Sequence, residues 1–253
     1  MSRARKKIYL SFFLICWLLN PMAYAKSWQP IEPGMEYVDI RYQSLSQWSH
    51  IHAFRIDLQK MRLSVFMAKD LPEHYASVQA FRQHEHGLLA INGGFFNPNK
   101  TPLGLRISDK QILNPLRRIS WWGVFFIQKQ HAAITTPFEF HAQKNIEFAI
   151  QSGPRLLVAG QIPTLRPGYA NRSALGIDDK GRVIILVTEN LPIATSDFAR
   201  ILKAPPFRCV DALNLDGGSS SQLYAKMPHF KLDVPGFSQV SDAIIVKRRT
   251  SGD

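Results

Sequence analysis

The chain has 253 residues, of which 31 are Lys or Arg and 19 are Asp or Glu, giving a formal net charge of +12. Hydrophobic residues make up 45% of the chain and charged residues 20%, which excludes a disordered or low-complexity protein. Two cysteines are too few for a disulfide-dense scaffold. The basic excess is compatible with nucleic-acid binding, but the chain carries no DNA- or RNA-binding motif. We therefore expect no nucleic-acid partner.

Residues 1–25 have the pattern of a secretory signal peptide. The basic start Met1–Lys7 precedes an apolar run, Ile8–Leu19, and the cleavage pattern Ala23-Tyr24-Ala25. This run is short for a bilayer-spanning helix, which needs about 20 residues. Cleavage after Ala25 removes four basic and no acidic residues, which leaves a domain of residues 26–253 with a net charge of +8. We expect a periplasmic or secreted bacterial protein that meets a membrane only during export; an uncleaved anchor is the alternative.

The mature chain is predicted to be one α+β domain with a mixed, largely antiparallel β-sheet core and a few helices. Alternating patterns and short apolar runs predict strands at these positions: Ile51–Leu58, Leu63–Met67, Leu88–Ile91, Trp121–Ile127, Ala132–Thr135, Ala174–Ile177, Arg182–Thr188, Ala212–Leu215 and Ala243–Val246. We expect the first two strands to form a hairpin and the fourth and fifth to form a second pair. The segment Asp178–Gly181 has the composition of a third hairpin's turn.

Two helices are expected. One covers about Ala76–His84. The second begins at a Ser196 or Thr195 cap and carries apolar residues on one face, namely Phe198, Ile201 and Leu202. No repeat and no run of like charge divides the chain.

Two consecutive glycines end the predicted strand Leu88–Ile91, in the segment Asn92-Gly93-Gly94. Glycine adopts positive φ readily and can turn successive N–H groups to one side, as in an anion-binding nest. A tight turn capped by Asn92 is the alternative interpretation.

Charged side chains stand at three other strand ends. Arg155 and Arg172 each precede an apolar strand, and a guanidinium suits bidentate capture of a phosphate or carboxylate. Glu189 follows Thr188 at the end of a strand, where a second carboxylate would be useful. A solvent-exposed position is the alternative for all three.

The densest polar cluster follows the strand Ala212–Leu215 and runs through Asp216, Gly217 and Gly218 into three serines, Ser219–Ser221. Ligands of open α/β sheets bind at such carboxyl ends of strands. The segment is not a phosphate-binding P-loop, because no Gly-Lys-Ser/Thr follows. It is not a nucleophile elbow either, because serine stands where the closing glycine should be. A structural turn is the alternative.

Close histidine pairs occur twice, as His50/His52 and His84/His86. His50 and His52 alternate along a predicted strand and could share one face. Neither pair has a cysteine partner or the HExxH pattern of zinc hydrolases. We therefore predict no metal site and no cofactor, while a metal requirement stays open.

Five motifs occur in a characteristic order. They are Leu89-Ala-Ile-Asn-Gly-Gly-Phe-Phe96, Gly104-Leu-Arg-Ile-Ser-Asp109, Gln151-Ser-Gly-Pro-Arg155, Arg172-Ser-Ala-Leu-Gly-Ile177 and Ala212-Leu-Asn-Leu-Asp-Gly-Gly-Ser-Ser220. Together they resemble the phosphodiester glycosidase family over about Leu88–Val246. The family includes an enzyme that removes N-acetylglucosamine from a sugar-1-phosphodiester. The chain resembles a short bacterial member.

This resemblance implies a hydrolase that cleaves the glycosidic bond of an anionic sugar-phosphate or envelope-glycan substrate. Asp216 would be the general base or the carboxylate that stabilises the cation, and Glu189 would be the acid. Arg155 and Arg172 would hold the phosphate. Asn92 and Asn214 would orient substrate hydroxyls or Asp216. Further donors would come from Gly93, Gly94, Gly217, Gly218, Ser219 and Ser220.

Two other functions stay open. A non-catalytic protein could bind envelope glycans through the same loops, with Trp121 and Trp122 stacking on sugar rings, although core packing is the commoner fate of such residues. A hydrolase of a different phosphodiester is the second alternative.

Overall fold

The computed structural model describes residues 27–41, 47–72 and 76–250. The predicted signal peptide, residues 1–25, lies outside the described residues. Within those ranges, the chain forms 19 strands and two α-helices. Neither helix has the length and apolar character needed to cross a bilayer.

The strands, in chain order, are β1 Gln29–Glu32, β2 Met35–Arg41, β3 His50–Ile56, β4 Met61–Met67, β5 Leu89–Asn92, β6 Arg106–Ser108, β7 Gln111–Asn114, β8 Gly123–Gln128, β9 His131–Thr135, β10 Ile146–Ser152, β11 Arg155–Leu157, β12 Tyr169–Ala170, β13 Ser173–Asp178, β14 Val183–Glu189, β15 Ile193–Ala194, β16 Cys209–Asn214, β17 Leu223–Met227, β18 Phe230–Val234 and β19 Asp242–Arg248. The helices are α1 Val78–Glu85 and α2 Thr195–Lys203.

Three sheets contain most of these strands. Sheet I has the order β1-β2-β3-β14-β13-β16-β11, sheet II the order β18-β17-β5-β19-β4, and sheet III the order β7-β6-β10-β8-β9. A two-stranded ribbon, β12-β15, lies apart. All strand pairs in the described ranges are antiparallel. The antiparallel core is confirmed, but the chain is richer in strands than the α+β prediction implied.

One apolar cluster fills the space between the three sheets. It includes Phe54 and Ile185 of sheet I, Ile91 and Ile244 of sheet II, and Phe125 of sheet III, each 0% exposed. The core is therefore continuous across all three sheets, as a one-domain chain requires.

Sheets I and II each carry a helix on the outer face. In sheet I, Ile185 faces the shared core, whereas its neighbour Ile184 belongs to a second cluster with Phe198 and Leu202 of α2. A strand covered on both faces reads as a continuous apolar run, which is why β14 shows no alternation. In sheet II, the outward residues pack against Phe81 of α1.

The strand pairings confirm two of the three predicted hairpins. β8 pairs with β9, and β13 pairs with β14 across the Asp178–Gly181 turn. The predicted hairpin of β3 and β4 is wrong. β3 lies between β2 and β14 in sheet I, so both of its edges are occupied, and β4 pairs with β19 in sheet II.

Both predicted helices are present. In α1, the Ser77 hydroxyl caps the first turn by accepting from the Ala80 N–H. The predicted side-chain cap of α2 is wrong: the helix starts at Thr195, and the residue before it, Ala194, makes no side-chain cap bond. The Thr195 hydroxyl instead accepts a hydrogen bond from the Arg172 guanidinium at 2.9 Å.

The ends of several sheet I strands lie along one edge of that sheet. β14 ends at Glu189 opposite the first residue of β3, His50, and β16 ends at Asn214 beside the start of β13, Ser173. β11 begins there too, at Arg155. Side chains that are distant in sequence therefore gather at one end of sheet I.

Candidate active site

The backbone of Asp216 is clamped by the end of β5. The Asp216 N–H donates to the Gly93 carbonyl at 3.2 Å, and the Asn92 Nδ2 donates to the Asp216 carbonyl at 2.8 Å. Asn92 is fully buried, and its Oδ1 accepts from the Ser173 hydroxyl at 2.7 Å and the Gln222 N–H at 3.2 Å. Of the two roles predicted for Asn92, this geometry provides the orientation of Asp216 rather than contact with a substrate hydroxyl.

The Asp216 carboxylate lies in surroundings that disfavour its charge. Burial raises the pKa of this carboxyl above its ordinary value, and the nearby Asp242 carboxylate raises it further. Hydrogen bonds from the Ser220 hydroxyl and the Gly217 N–H, together with the Arg106 charge, oppose the increase. The result is a carboxylate that exchanges protons at a higher pH than an ordinary aspartate.

A buried ion pair lies beside this carboxylate. The Arg106 Nη2 is 3.1 Å from the Asp242 Oδ2, and both side chains are 0% exposed. The Arg106 Nη1 also donates to the Gln151 carbonyl at 3.1 Å. The pair joins sheet III to sheet II. No role was predicted for Arg106, although a charged residue within the otherwise apolar stretch Gly104–Ile107 is a signal that the sequence contains.

The glycines near Asp216 have a different role from the predicted one. The Gly93 N–H donates to the Asp242 carbonyl at 3.0 Å, and a Cβ at Gly93 would lie 1.5 Å from the Asp242 Oδ1. A Cβ at Gly94 would lie 2.8 Å from the Gln151 carbonyl oxygen. These two residues are therefore glycines because neighbouring chain segments approach closely, which corrects the predicted nest of left-handed residues.

The second glycine pair also donates within the protein. The Gly217 N–H donates to the Asp216 Oδ1 at 3.0 Å, and the Gly218 N–H donates to the Asn171 carbonyl at 2.8 Å. Only Gly218 of the four glycines has a positive φ, 63°. The prediction that these N–H groups are free to bind an anion is therefore corrected. Ser219 is exposed, and Ser220 is buried against Asp216.

Asn214 ties β16 to the segment that enters β11. Its Nδ2 donates to the Gly153 carbonyl at 3.1 Å, and its N–H donates to the Pro154 carbonyl at 3.0 Å. The Asn214 Oδ1 is buried without a partner in the described chain. Asn214 therefore fixes the start of β11, and with it Arg155, relative to the Asp216 loop.

Arg155 is a half-buried cation with a free head group. Its stem packs so closely over Gly123 that a Cβ there would lie 2.7 Å from the Arg155 Cγ. Its guanidinium makes no hydrogen bond or ion pair with any residue in the ranges described. Its charge contributes a little to the lowered pKa of the exposed Glu139, after the hydrogen bonds that Glu139 accepts. This arrangement leaves the guanidinium available for an anionic ligand.

Arg172 is already occupied. Its Nε donates to the Ile193 carbonyl at 3.3 Å, and its Nη2 donates to the Gly168 carbonyl and to the Thr195 hydroxyl. Burial also lowers the pKa of this guanidinium from its ordinary value. These contacts describe a residue that holds the start of α2. A phosphate would have to use the Nη1 group, so the predicted phosphate-holding role has no support from the geometry.

Glu189 is held by a histidine that the sequence analysis did not assign to it. The Glu189 Oε2 is 2.9 Å from the His52 Nε2, and the His52 Nδ1 is 2.8 Å from the Tyr37 hydroxyl. Burial raises the pKa of the Tyr37 phenol well above its ordinary value, so the hydroxyl keeps its proton. The neutral tautomer that fits both contacts carries its proton on Nε2, donates to Glu189 and accepts from the Tyr37 hydroxyl at Nδ1. The exposed-loop alternative for Glu189 is therefore wrong.

A small cavity of about 110 Å³ joins Glu189 to the loop that follows Asp216. Asn171 lines this cavity and accepts the Gly218 N–H, so the two carboxylate-bearing segments share a neighbour. The lining residues are Asn171, Thr188, Glu189, Asn190, Ser221, Val234, Pro235 and Phe237. A larger cleft of about 770 Å³ lies at the opposite end of sheet I, around the Glu36–Arg55 ion pair and away from every predicted site residue.

The two adjacent tryptophans differ in burial. Trp122 is 4% exposed and packs in the interior, whereas Trp121 is 54% exposed. Trp121 stands beside Phe95, with 6.0 Å between ring centroids, and a Cβ at Gly153 would lie 3.2 Å from its ring. Trp121 is thus a surface aromatic close to the segment that precedes Arg155.

Residues 86–247 match the phosphodiester glycosidase family, and the chain belongs to that family. The matched range contains every residue that the sequence analysis placed in the site, from Asn92 to Ser220. It also contains Arg106 and Asp242, whereas Tyr37 and His52 lie before it.

Known proteins resemble this chain in sequence or in structure. The chain is 29% identical over 194 residues to the uncharacterized protein YigE of Escherichia coli strain K12. The aligned region covers 70% of this chain and 74% of that protein. The catalytic domain of zebrafish N-acetylglucosamine-1-phosphodiester alpha-N-acetylglucosaminidase superposes with a TM-score of 0.65 at 21% identity, over 89% of this chain and 87% of that domain. A hypothetical protein from Synechocystis superposes with a TM-score of 0.58 at 17% identity, over 88% of this chain and 64% of that protein. The two structural matches show a shared fold.

Proposed function

We propose that this protein is an exported hydrolase that cleaves the glycosidic bond of a sugar-1-phosphodiester, with N-acetylglucosamine or a related envelope glycan as the sugar. The observation that carries the proposal is Asp216: a half-buried carboxylate of raised pKa, clamped by Asn92 in a family-matched segment. The name of the zebrafish relative supplies the substrate class, and Arg155, whose guanidinium has no partner among the described residues, supplies a cation for its phosphate.

The chemistry requires few groups. Cleavage of the bond between the anomeric carbon and the phosphate oxygen develops positive charge on the sugar, and a phosphomonoester leaves. Asp216 in its ionised form takes a proton from the attacking water or stabilises the developing cation. Arg155 binds the phosphate oxygens and stabilises their charge as the bond breaks. A phosphate leaving group needs less protonation than an alkoxide does.

Glu189 is the second carboxylate in the proposal. The His52 Nε2–H donates to one of its oxygens, which orients the carboxylate at the edge of the cavity shared with Asn171. From this position Glu189 would serve as the acid that assists departure of the phosphate.

Activity on a simple substrate tests the proposal. Purified protein should release N-acetylglucosamine from UDP-N-acetylglucosamine, and Asp216→Asn should lose about 10²–10⁴-fold in kcat, the usual contribution of a general base. The exposed Asp179 provides a matched control, because Asp179→Asn makes the same chemical change in the turn between β13 and β14, at the opposite end of sheet I from Glu189. Full activity of folded Asp216→Asn protein would overturn the assignment.

A further inference from the structure

A cluster of two histidines and an aspartate lies on sheet I next to Glu189. His50 and His52 are two residues apart on β3, so their side chains share one face of the sheet. Asp39 on β2 is the direct cross-strand partner of His52, which brings it to the same face. One ligand-type atom from each of the three residues lies within 4.8 Å of the other two.

The separations in this cluster approach those of a tetrahedral metal site. The Asp39 Oδ1 is 2.8 Å from the His50 Nδ1 and 3.9 Å from the His52 Nδ1. Zinc bonds of about 2.0–2.2 Å imply tetrahedral ligand atoms about 3.4 Å apart, a value between these two distances. The imidazole rings are stacked with 4° between their planes, so one ring has to turn for both Nδ1 lone pairs to meet at one ion.

The neighbours of His52 resemble those of a metal-binding histidine. A histidine ligand usually donates its other ring N–H to a carboxylate, which fixes the tautomer and makes the ligating nitrogen more basic. Glu189 is that carboxylate at Nε2, which leaves Nδ1 as the ring nitrogen that could bind a metal ion. In the present geometry this lone pair accepts the Tyr37 hydroxyl.

We propose that Asp39, His50 and His52 bind one divalent transition-metal ion, of which Zn²⁺ is the best fit, with the fourth position open to water. Two imidazoles and one carboxylate suit zinc better than Ca²⁺ or Mg²⁺, which prefer all-oxygen ligands. The sequence prediction of no metal site considered the histidine pairs without Asp39. A ligand from a neighbouring strand has no fixed sequence spacing from a His-x-His pair, so the sequence does not point to it. The site stands independently of the proposed glycosidase activity.

Zinc binding to chelator-treated full-length protein, measured by isothermal titration calorimetry, tests the site. We expect saturable binding of one Zn²⁺, weakened by about tenfold or more in His50→Ala. His84→Ala is the matched control, since it removes an exposed histidine of the other pair. Absence of saturable binding, or equal affinity in the wild type and His50→Ala, would overturn the proposal.

Two further variants distinguish a metal site from a merely structural hydrogen-bond cluster. Tyr37→Phe should bind Zn²⁺ more tightly, because it frees the Nδ1 lone pair of His52. Glu189→Gln should bind about 10–100-fold more weakly, as loss of a carboxylate behind a histidine ligand does. Circular dichroism establishes that each variant is folded. Unchanged zinc affinity in both folded variants would show that His52 is not a ligand and would overturn the proposed ligand set.

Discussion

At the residue scale, Asp216 carries its charge at a cost in stability. Its folded-state pKa is raised above the unfolded value, so the favourable contribution is present below the ordinary value of 3.8 and is lost as the pH rises through the folded pKa. At neutral pH the ionised Asp216 carboxylate therefore lowers the free energy of unfolding. A carboxylate that lowers stability at this position is what the proposed catalytic role of Asp216 predicts.

Asp216→Asn should therefore be more stable than the wild type at pH 7, because an amide has no charge to desolvate and can still accept the Gly217 N–H. The difference in melting temperature should narrow as the pH falls through the raised pKa of the wild-type carboxyl, which then becomes protonated. Calorimetric unfolding at a series of pH values measures both effects. A wild type more stable than the variant at pH 7 would contradict this account of Asp216.

Arg155→Ala should lower kcat/KM for an anionic substrate by about 10- to 100-fold, because a hydrogen bond to a charged group contributes about 1.5–3 kcal/mol. The free energy of unfolding should change by less than about 1 kcal/mol, since only the stem packs against the protein. Kinetics on a phosphodiester and on a neutral aryl glycoside measure the effect, with exposed Arg166→Ala as control. Equal loss on both substrates would argue against a phosphate role.

Part of this site was predictable from the sequence. The positions of Asp216, Asn92 and Arg155 at strand ends could be predicted because polar residues flank apolar runs there, and antiparallel strands bring such ends together. The role of Arg172 was not predictable, because its acceptors, the carbonyls of Gly168 and Ile193, have no sequence signature. The role of Gly93 depends on its distance from Asp242, which only the fold defines.

At the element scale, strand positions were easier to predict than strand partners. Alternation in β3 and the apolar run of β14 mark each as a strand on local evidence alone. The pairing of β3 with β14 joins segments more than a hundred residues apart, and nothing local distinguishes it from a hairpin with β4. The wrong hairpin was therefore an error of long-range topology.

The buried Arg106–Asp242 pair connects β6 to β19, and breaking it should be costly. Asp242→Asn should lower the free energy of unfolding by about 3–5 kcal/mol, because it leaves a buried guanidinium without a counter-charge. The double variant Arg106→Met/Asp242→Leu should lose less free energy of unfolding than Arg106→Met and Asp242→Leu lose when their separate losses are added. Urea unfolding measures each value. Additive effects would show that the two side chains do not interact.

At the scale of the whole molecule, the basic excess does not form a free patch at the C-terminal end. Lys247 pairs with Glu85 at 2.7 Å, Arg248 with Glu32 at 2.9 Å, and Arg249 with Glu147 at 2.5 Å. These acids lie on α1, β1 and β10, so ion pairs connect the end of β19 and the residue after it to three other elements. The basic tail is thereby part of the fold.

Export of the protein can be tested on the whole chain. When the full chain is produced in a Gram-negative bacterium, we expect it in the periplasm or medium, with Lys26 as its first residue. Intact-mass measurement of the purified protein decides the cleavage position. A product that keeps residues 1–25 and sediments with membranes would support the uncleaved anchor instead.

The position of bond cleavage tests the central claim most directly. Hydrolysis of UDP-N-acetylglucosamine in ¹⁸O-labelled water, followed by mass spectrometry, shows which product receives the solvent oxygen. A glycosidase that uses Asp216 to activate water at the anomeric carbon should place ¹⁸O in N-acetylglucosamine and none in UDP. Label in a phosphate group would show cleavage at phosphorus and contradict the account.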